Sequence, residues 1–223
     1  IHPIIGPEGE TITDARPEDH VHHRGVFWAW PRYERQGNEI GSWWVPTNIY
    51  CEPDVMDSST GPVFARFSVR HFLVDQPSGS DTSERFIRED LVCRVFRASD
   101  VGRAIDVEIM LTALEKGVRI GGTTVHDKGY GGLTVRTAPA EHAAIEADGD
   151  FLPDDGIRHR ARWADWNGFY KELADRGESR RSGIAVLVHP SHPDTPTEWL
   201  LRHYGILNVA FPGLDMLEIP TDE

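Results

Sequence analysis

Apolar and polar residues alternate with a period of two along much of this 223-residue chain. Successive residues of an extended strand point to opposite faces of a sheet, so this alternation indicates strands with one buried face. The pattern is clear over 63–71, 90–96 and 105–112, and a turn at Glu115-Lys116-Gly117 leads into 118–125. Further strands are predicted at 131–138, 159–165, 183–188 and 199–204.

Helical signals are sparse. The pattern predicts one short helix over 169–176, ended by Gly177, and loops rich in Asp, Gly, Ser or Pro at 75–83 and 148–156. Many strands with few or no helices predict an all-β fold, an antiparallel β-sandwich of the jelly-roll or mutarotase-like type. We expect one domain over 1–223, which lacks residues at both ends because patterned sequence begins at Ile1 and stops abruptly at Glu223.

Charge and composition exclude several classes of function. The 36 acidic and 23 basic residues give a net charge of −13, which disfavours nucleic acid as a partner. No apolar run approaches the roughly 18 residues of a membrane helix, so a membrane partner is not expected. Cys51 and Cys93 allow one disulfide, and the compartment, cytoplasmic or exported, stays open, as does the oligomeric state.

The densest polar feature is a histidine cluster in the segment 17–25. In an extended chain His20 and His22 share one face, so they are candidates to chelate a divalent metal, although zinc needs at least three protein donors. His23 and Arg24 would instead line a polar pocket. A catalytic or ligand-facing role and a structural, hydrogen-bonded role both stay open.

Three further segments carry candidate residues. Lys128 and Arg136 flank a glycine-rich segment, where they would hold a carboxylate or polarise a sugar oxygen. Asp165 lies between two indoles, which would raise its pKa if it is buried. A last segment predicts proton transfer beside an anion and contains His189, Arg202 and Tyr204.

The motifs resemble a bacterial family of uncharacterised β proteins labelled PmoA-like or methane oxygenase PmoA. The residues that carry the resemblance are Ile1-His2-Pro3, Thr13-Asp14, Pro17, 19–25, 128–133, Trp163-Ala164-Asp165 and 189–205. The resemblance implies a β-sandwich encoded among carbohydrate-degradation genes, with no catalytic residues to carry over. The methane monooxygenase activity that the label evokes is not expected, because it belongs to a protein with several membrane spans.

These observations predict a carbohydrate-active enzyme, a lyase, hydrolase or epimerase, that takes a small molecule or an oligosaccharide. A hydrolase is less favoured, because it needs two acids and only Asp165 is identified. The alternatives are a non-catalytic carbohydrate-binding module with tryptophan platforms and a metal-dependent enzyme; no cofactor is otherwise expected. The predicted catalytic residues are His22, His23, Lys128, Asp165, His189 and Tyr204, and the predicted substrate-binding residues are Arg24, Trp28, Trp30, Arg136, Trp163 and Arg202.

Overall fold

The computed structural model describes residues 1–222 and confirms the all-β class. Two short helical segments occur within this range, the 3-10 turn Val125–Asp127 and the helix α1 (Lys171–Ala174). No helix among the described residues is long and apolar enough to cross a membrane. The strands are, in chain order, β1 (Val26–Ala29), β2 (Arg32–Arg35), β3 (Asn38–Gly41), β4 (Ile49–Thr60), β5 (Phe64–Asp75), β6 (Glu84–Phe96), β7 (Ile105–Ala113), β8 (Val118–Gly121), β9 (Gly132–Arg136), β10 (Glu141–Ala147), β11 (Asp150–Leu152), β12 (Gly156–Ala161), β13 (Trp163–Phe169), β14 (Ser182–Leu187), β15 (Thr197–Arg202), β16 (Ile206–Val209) and β17 (Met216–Glu218).

One compact unit comprises Ile1–Trp30 and Gly121–Met216. It contains a five-stranded antiparallel sheet in the order β1-β9-β16-β15-β12 and a four-stranded antiparallel sheet in the order β11-β10-β13-β14. Their inner faces share one hydrophobic core, in which Trp199 and Leu201 of the first sheet join Trp166 of the second. This unit is a β-sandwich, since two sheets bury facing apolar surfaces against each other.

The second compact unit comprises Pro31–Ile120 and Leu217–Glu223. It contains the sheets β17-β8-β2-β3 and β4-β5-β6-β7, and the second of these has three strands of 12 or 13 residues. Arg35 of β2 forms ion pairs with Asp75 of β5, Glu84 of β6 and Glu115 in the turn after β7. The chain thus divides into two compact units, and the single domain expected from the sequence remains a prediction.

The predicted strand 159–165 is wrong as one element. The chain leaves the five-stranded sheet after Ala161 and enters the four-stranded sheet at Trp163. Ala161 and Ala164 are both buried in the core, while Arg162 between them is exposed and bonds to Asp148. Buried residues three apart break the period of two, and the chain changes sheets at that break.

Short elements account for most other differences from the sequence prediction. The predicted loop 148–156 contains the three-residue strand β11, and the predicted helix 169–176 forms only over Lys171–Ala174. Strands of three or four residues, such as β1–β3, β16 and β17, were not predicted, because so few positions cannot display an alternation. The longer β4 was missed because most of it is exposed on both faces.

We predict that Leu201→Ala lowers the free energy of unfolding by about 2–5 kcal/mol, because it leaves a cavity in the core. Leu201 is 0% exposed, whereas Leu187 on β14 is 74% exposed. The matched variant Leu187→Ala should stay within about 0.5 kcal/mol of the wild type. Urea denaturation followed by tryptophan fluorescence measures both, and equal losses would contradict the assignment of the core.

Candidate functional site

Four strand ends meet at one end of the five-stranded sheet. Val26 at the start of β1 pairs with Val135, and Arg136 at the end of β9 pairs with Ile206 at the start of β16. Ile206 also pairs with Arg202, which ends β15. The histidine-rich segment before β1 and the turn between β15 and β16 therefore lie at the same end of the sheet.

Two glycines allow the chain to turn tightly there. Gly205 has φ +108° and accepts no side chain, because a Cβ would lie 2.3 Å from Oγ1 of Thr137. Its amide donates to the carbonyl of Arg202 at 2.9 Å and closes the turn that presents Tyr204. Gly25 has φ +70°, and a Cβ there would lie 2.5 Å from the carbonyl oxygen of Ile1.

Aromatic rings pack against one another above this sheet end. The His20 ring stacks on His23 with centroids 4.6 Å apart and on Tyr204 with centroids 5.9 Å apart. His22 meets His23 edge to face at 4.6 Å. The histidines and the tyrosine named from separate sequence segments are thus one group, which we call the histidine–tyrosine cluster (His20, His22, His23 and Tyr204).

Arg136 lies beneath this cluster. Its side chain is 7% exposed, and its guanidinium carbon lies 5.1 Å from the centroid of the Tyr204 ring. Nη2 donates to both carboxylate oxygens of Asp19, at 2.9 and 3.1 Å. Its Nε and Nη1 are buried without a hydrogen-bond partner among residues 1–222. Buried donors of this kind are rare in native proteins and are favourable partners for an anion.

Asp19 also holds His20. Its Oδ2 lies 2.8 Å from Nδ1 of His20, and both side chains are partly exposed. Burial alone would raise the pKa of Asp19, but the hydrogen bonds with His20 and Arg136 outweigh it, so the pKa lies below its ordinary value. An ionised carboxylate only accepts hydrogen bonds, so Nδ1 of His20 is the donor, and in the neutral imidazole the lone pair is then on Nε2.

The electrostatic environment keeps much of the cluster uncharged at neutral pH. Burial, followed by the neighbouring His22 and His20, lowers the pKa of His23 to about 3. Burial and the charges of His20 and Arg24 also lower the pKa of His22. Burial raises the pKa of the Tyr204 phenol, although Arg202 and Arg136 oppose the shift.

A second ion pair forms at the same sheet end. Arg202 donates to Asp155 at 3.1 Å, and the backbone amide of His203 donates to the same carboxylate at 2.8 Å. Burial opposes ionisation of Asp155, but the hydrogen bonds from His203 and Arg202 lower its pKa overall. The sequence pattern did not identify Asp155 or Asp19 as site residues. Only for Asp19 did the sequence hold a signal, because it is adjacent to His20.

Other predicted catalytic residues lie elsewhere in this unit. Lys128 lies a few residues before Gly132, which begins β9, whereas Arg136 ends β9. Lys128 is therefore near the opposite end of that strand. Asp165 alternates with the core residues Ala164 and Trp166, so it lies on the outer face of the four-stranded sheet. Burial raises its pKa, as expected from the sequence, although a hydrogen bond with Asn167 opposes the shift.

His189 and Trp163 also lie away from the cluster. Trp163 pairs with Leu187, which lies two residues before His189. Trp163 also closely follows the end of β12, where Ala161 pairs with Thr197. Thr197 begins the strand that Arg202 ends, and five steps along a strand span roughly 17 Å. His189 is exposed and bonds to Ser191, two residues further along the chain.

The predicted binding residues divide in the same way. Arg136 and Arg202 lie at the cluster, and Arg24 donates to the carbonyls of Val21 and His23 and so braces the histidine segment. Trp30 is buried and donates its indole N–H to the carbonyl of Phe211. Trp28 is half-buried on β1, two residues after the core residue Val26, and so faces the core.

The described part of the chain contains no group of three His, Cys, Asp or Glu side chains arranged to hold a metal ion. The His20 ring stacks on His23, and its Nδ1 bonds to Asp19. These contacts do not point the imidazole nitrogens toward one common metal position. The donor arrangement therefore gives the metal-dependent alternative no support. Both cysteines are free.

The family is shown by a comparison of the whole chain with protein-family models. The model described as "Family of unknown function (DUF6807)" matches residues 1–223. The chain belongs to the DUF6807 family. Curated proteins and solved structures give no match for this DUF6807 protein.

We predict that acid destabilises this DUF6807 protein partly through His23. Its folded pKa of about 3 lies below the ordinary value of 6.5, so the unfolded chain takes up a proton first as the pH falls. The free energy of unfolding should fall by roughly 1–2 kcal/mol between pH 7 and pH 5 from this residue. Urea denaturation at both pH values should show a smaller fall for His23→Gln than for the wild type, and equal falls would contradict the assignment.

Proposed function

We propose that this protein is an enzyme that acts on carboxylate-bearing sugars by removing the proton next to the carboxylate, in β-elimination or epimerisation. The observation that carries the proposal is Arg136, which is buried beneath the Asp19–His20 pair and Tyr204 with two nitrogens that have no partner in the described part of the chain. A cation that neutralises a substrate carboxylate beside an oriented base is what this chemistry requires.

The carboxylate would accept hydrogen bonds from the guanidinium of Arg136. Neutralising that charge favours loss of the adjacent proton, because the electrons left behind are shared with the carboxyl group. Tyr204 packs over the guanidinium and is half exposed in a tight turn, so its side chain is the group that moves to admit the ligand. A desolvated arginine of this kind favours an acidic ligand over a neutral one.

His20 is the proposed base and Tyr204 the proposed acid. Nε2 of His20 takes the proton from the carbon next to the carboxylate, while Asp19 stabilises the imidazolium that forms. In elimination the C–H electrons form a carbon–carbon double bond, and the departing oxygen takes the phenolic proton of Tyr204. In epimerisation a proton returns to the opposite face of the same carbon.

The choice of a sugar substrate rests on the resemblance of the motifs at 19–25 and 189–205 to the PmoA-like family, with its link to carbohydrate degradation. Elimination or epimerisation is favoured over hydrolysis because the pKa values of both carboxyl groups near the cluster are lowered, whereas hydrolysis needs one carboxylic acid that stays protonated. Hydrolysis needs two carboxyl groups about 5–10 Å apart across the scissile bond. Asp165 lies on the outer face of the four-stranded sheet, whereas Asp19 and Asp155 lie at the end of the other sheet and are each held by arginine.

A carbohydrate-binding module is the weaker alternative. Such modules present exposed indoles as flat platforms for sugar rings. Trp30, Trp44, Trp166 and Trp199 are buried, and the three remaining tryptophans, Trp28, Trp43 and Trp163, are only partly exposed. The arrangement at Arg136 supplies titratable groups that a binding platform does not need.

We predict that galacturonate binds and that galactose, which has a hydroxymethyl group in place of the carboxylate, binds at least tenfold more weakly. Arg136→Gln should weaken galacturonate binding about 100-fold, because it removes a charge-assisted contact. Arg162→Gln is the control, since Arg162 is exposed and pairs with Asp148 away from the cluster. Isothermal titration measures binding, with circular dichroism as the check of folding; equal affinity for both sugars would refute the acidic-ligand proposal.

We predict that Tyr204→Phe separates binding from turnover. The phenylalanine ring keeps the packing over Arg136, so galacturonate affinity should change less than about threefold, but the proton donor is lost. Turnover of oligogalacturonide should fall about 100-fold or more, as expected when a general acid is removed. Ultraviolet absorbance of the unsaturated product and NMR of the sugar ring follow the two reactions, and unchanged turnover would exclude Tyr204 as the acid.

A further inference from the structure

A second group of reactive side chains lies in the other unit, on the sheet β4-β5-β6-β7. It contains Cys51 on β4, His71 on β5 and Glu89 on β6. His71 pairs with Glu89, and Leu73, two residues further along β5, pairs with Cys51. Residues two apart in a strand share a face, so the three side chains lie on the same face of the sheet.

His71 lies between the other two side chains and contacts Glu89. Its Nε2 lies 3.0 Å from Oε1 of Glu89, and the side chains of His71 and Glu89 are only 13% and 3% exposed. Cys51 lies diagonally across the β4–β5 pair from His71, on the side away from Glu89. A histidine between a cysteine and a carboxylate is the arrangement in which a base is oriented by an acid and activates a nucleophile.

The charge of His71 follows from these contacts. Burial alone would lower its pKa, but the hydrogen bonds with Cys51 and Glu89 outweigh burial and raise the pKa to about 10. The imidazole is therefore protonated at neutral pH, between a buried carboxylate from one flanking strand and a thiol from the other. A cation beside a cysteine stabilises its thiolate, which is the nucleophilic form.

The two cysteines of this chain differ in their surroundings. Cys51 is partly exposed, whereas Cys93 is 0% exposed on β6 and burial raises the pKa of its thiol. Buried thiols in apolar surroundings are inert, so Cys93 provides an internal comparison for Cys51.

We propose that Cys51 is a reactive thiol that forms a mixed disulfide with a low-molecular-weight disulfide, with His71 as proton donor and Glu89 as the residue that positions His71. The Cys51 sulfur attacks one sulfur of the disulfide, a new S–S bond forms, and the bond between the two reagent sulfurs breaks. The departing thiolate takes the proton from the imidazolium of His71. The disulfide is exchanged with no net oxidation, and one free thiol is released.

The first test uses the full chain with Cys93→Ser, so that Cys51 is its single thiol, and oxidised glutathione and the aromatic disulfide DTNB as probes. An ordinary thiol with pKa about 8.5 reacts about 75-fold more slowly at pH 6 than at pH 8. A reactive Cys51 of the kind proposed should slow less than about fivefold, since a neighbouring cation favours the nucleophilic form of a thiol. Intact mass should show one glutathione adduct, which is absent from Cys51→Ser. A 75-fold fall, or no adduct, would overturn the proposal.

The second test changes the partners of the thiol. His71→Gln should restore the steep pH dependence and slow oxidised glutathione more than DTNB, whose leaving group needs no proton. Glu89→Gln should shift the pH profile toward the ordinary one. Asp90→Asn is the matched control, because Asp90 is the next residue on β6, points to the opposite face and pairs with Arg70 and Arg88.

If Asp90→Asn shifts the pH profile of the reaction as far as Glu89→Gln does, the shift is a general effect of charge. That result would reject the role of Glu89 in positioning His71. The pH profile of the Cys93→Ser chain decides the reactivity of Cys51 even where the His71 or Glu89 variant fails to fold. This proposal is independent of sugar chemistry, since its residues and its probes are separate from those of the histidine–tyrosine cluster.

Discussion

The pairing of β9 with β1 on one side and with β16 on the other determines the geometry of the candidate site. It sets Arg136 at the end of its strand, next to the backbone of Gly25 and opposite Ile206. Because Val135 faces the core, Arg136 faces outward, where the histidine segment and the turn containing Tyr204 enclose it. A shift of one residue in this register would turn the arginine into the core and disperse the cluster.

Burial of the groups around Arg136, and of Arg136 itself, governs the electrostatic character of the cluster. Arg136 is compensated by Asp19, and a further cation nearby would be costly. The low pKa of His23 is consistent with this, since a neutral imidazole adds no positive charge to the cluster. His20 differs because it bonds directly to Asp19, so the same carboxylate both balances the arginine and orients the imidazole. Asp19 therefore has two functions in the proposed reaction. It pairs with the arginine that binds the substrate, and it orients the imidazole that takes the proton.

The cysteine group in the other unit follows the same physical rule with different chemistry. Glu89 is a buried carboxylate, and its partner His71 becomes a cation instead of staying neutral. Burial, followed by the neighbouring histidines, keeps His23 uncharged, whereas hydrogen bonds outweigh burial at His71 and leave it charged. Sequence composition reveals neither state, because each depends on partners that are distant in the chain.

The sequence by itself determined the class of fold and the residue types of the site. Alternation in the long strands β5–β7 was enough to predict them, and the proximity of His20, His22 and His23 in the chain already marked a polar cluster. The tertiary structure alone decided which distant residues joined that cluster. Tyr204 and Arg136 arrive through strand register, whereas Asp165 is placed on the outer face of the opposite sheet. The physical reason is that alternation fixes the face of a residue within its strand, while pairing between strands fixes its neighbours, and pairing depends on the whole sheet.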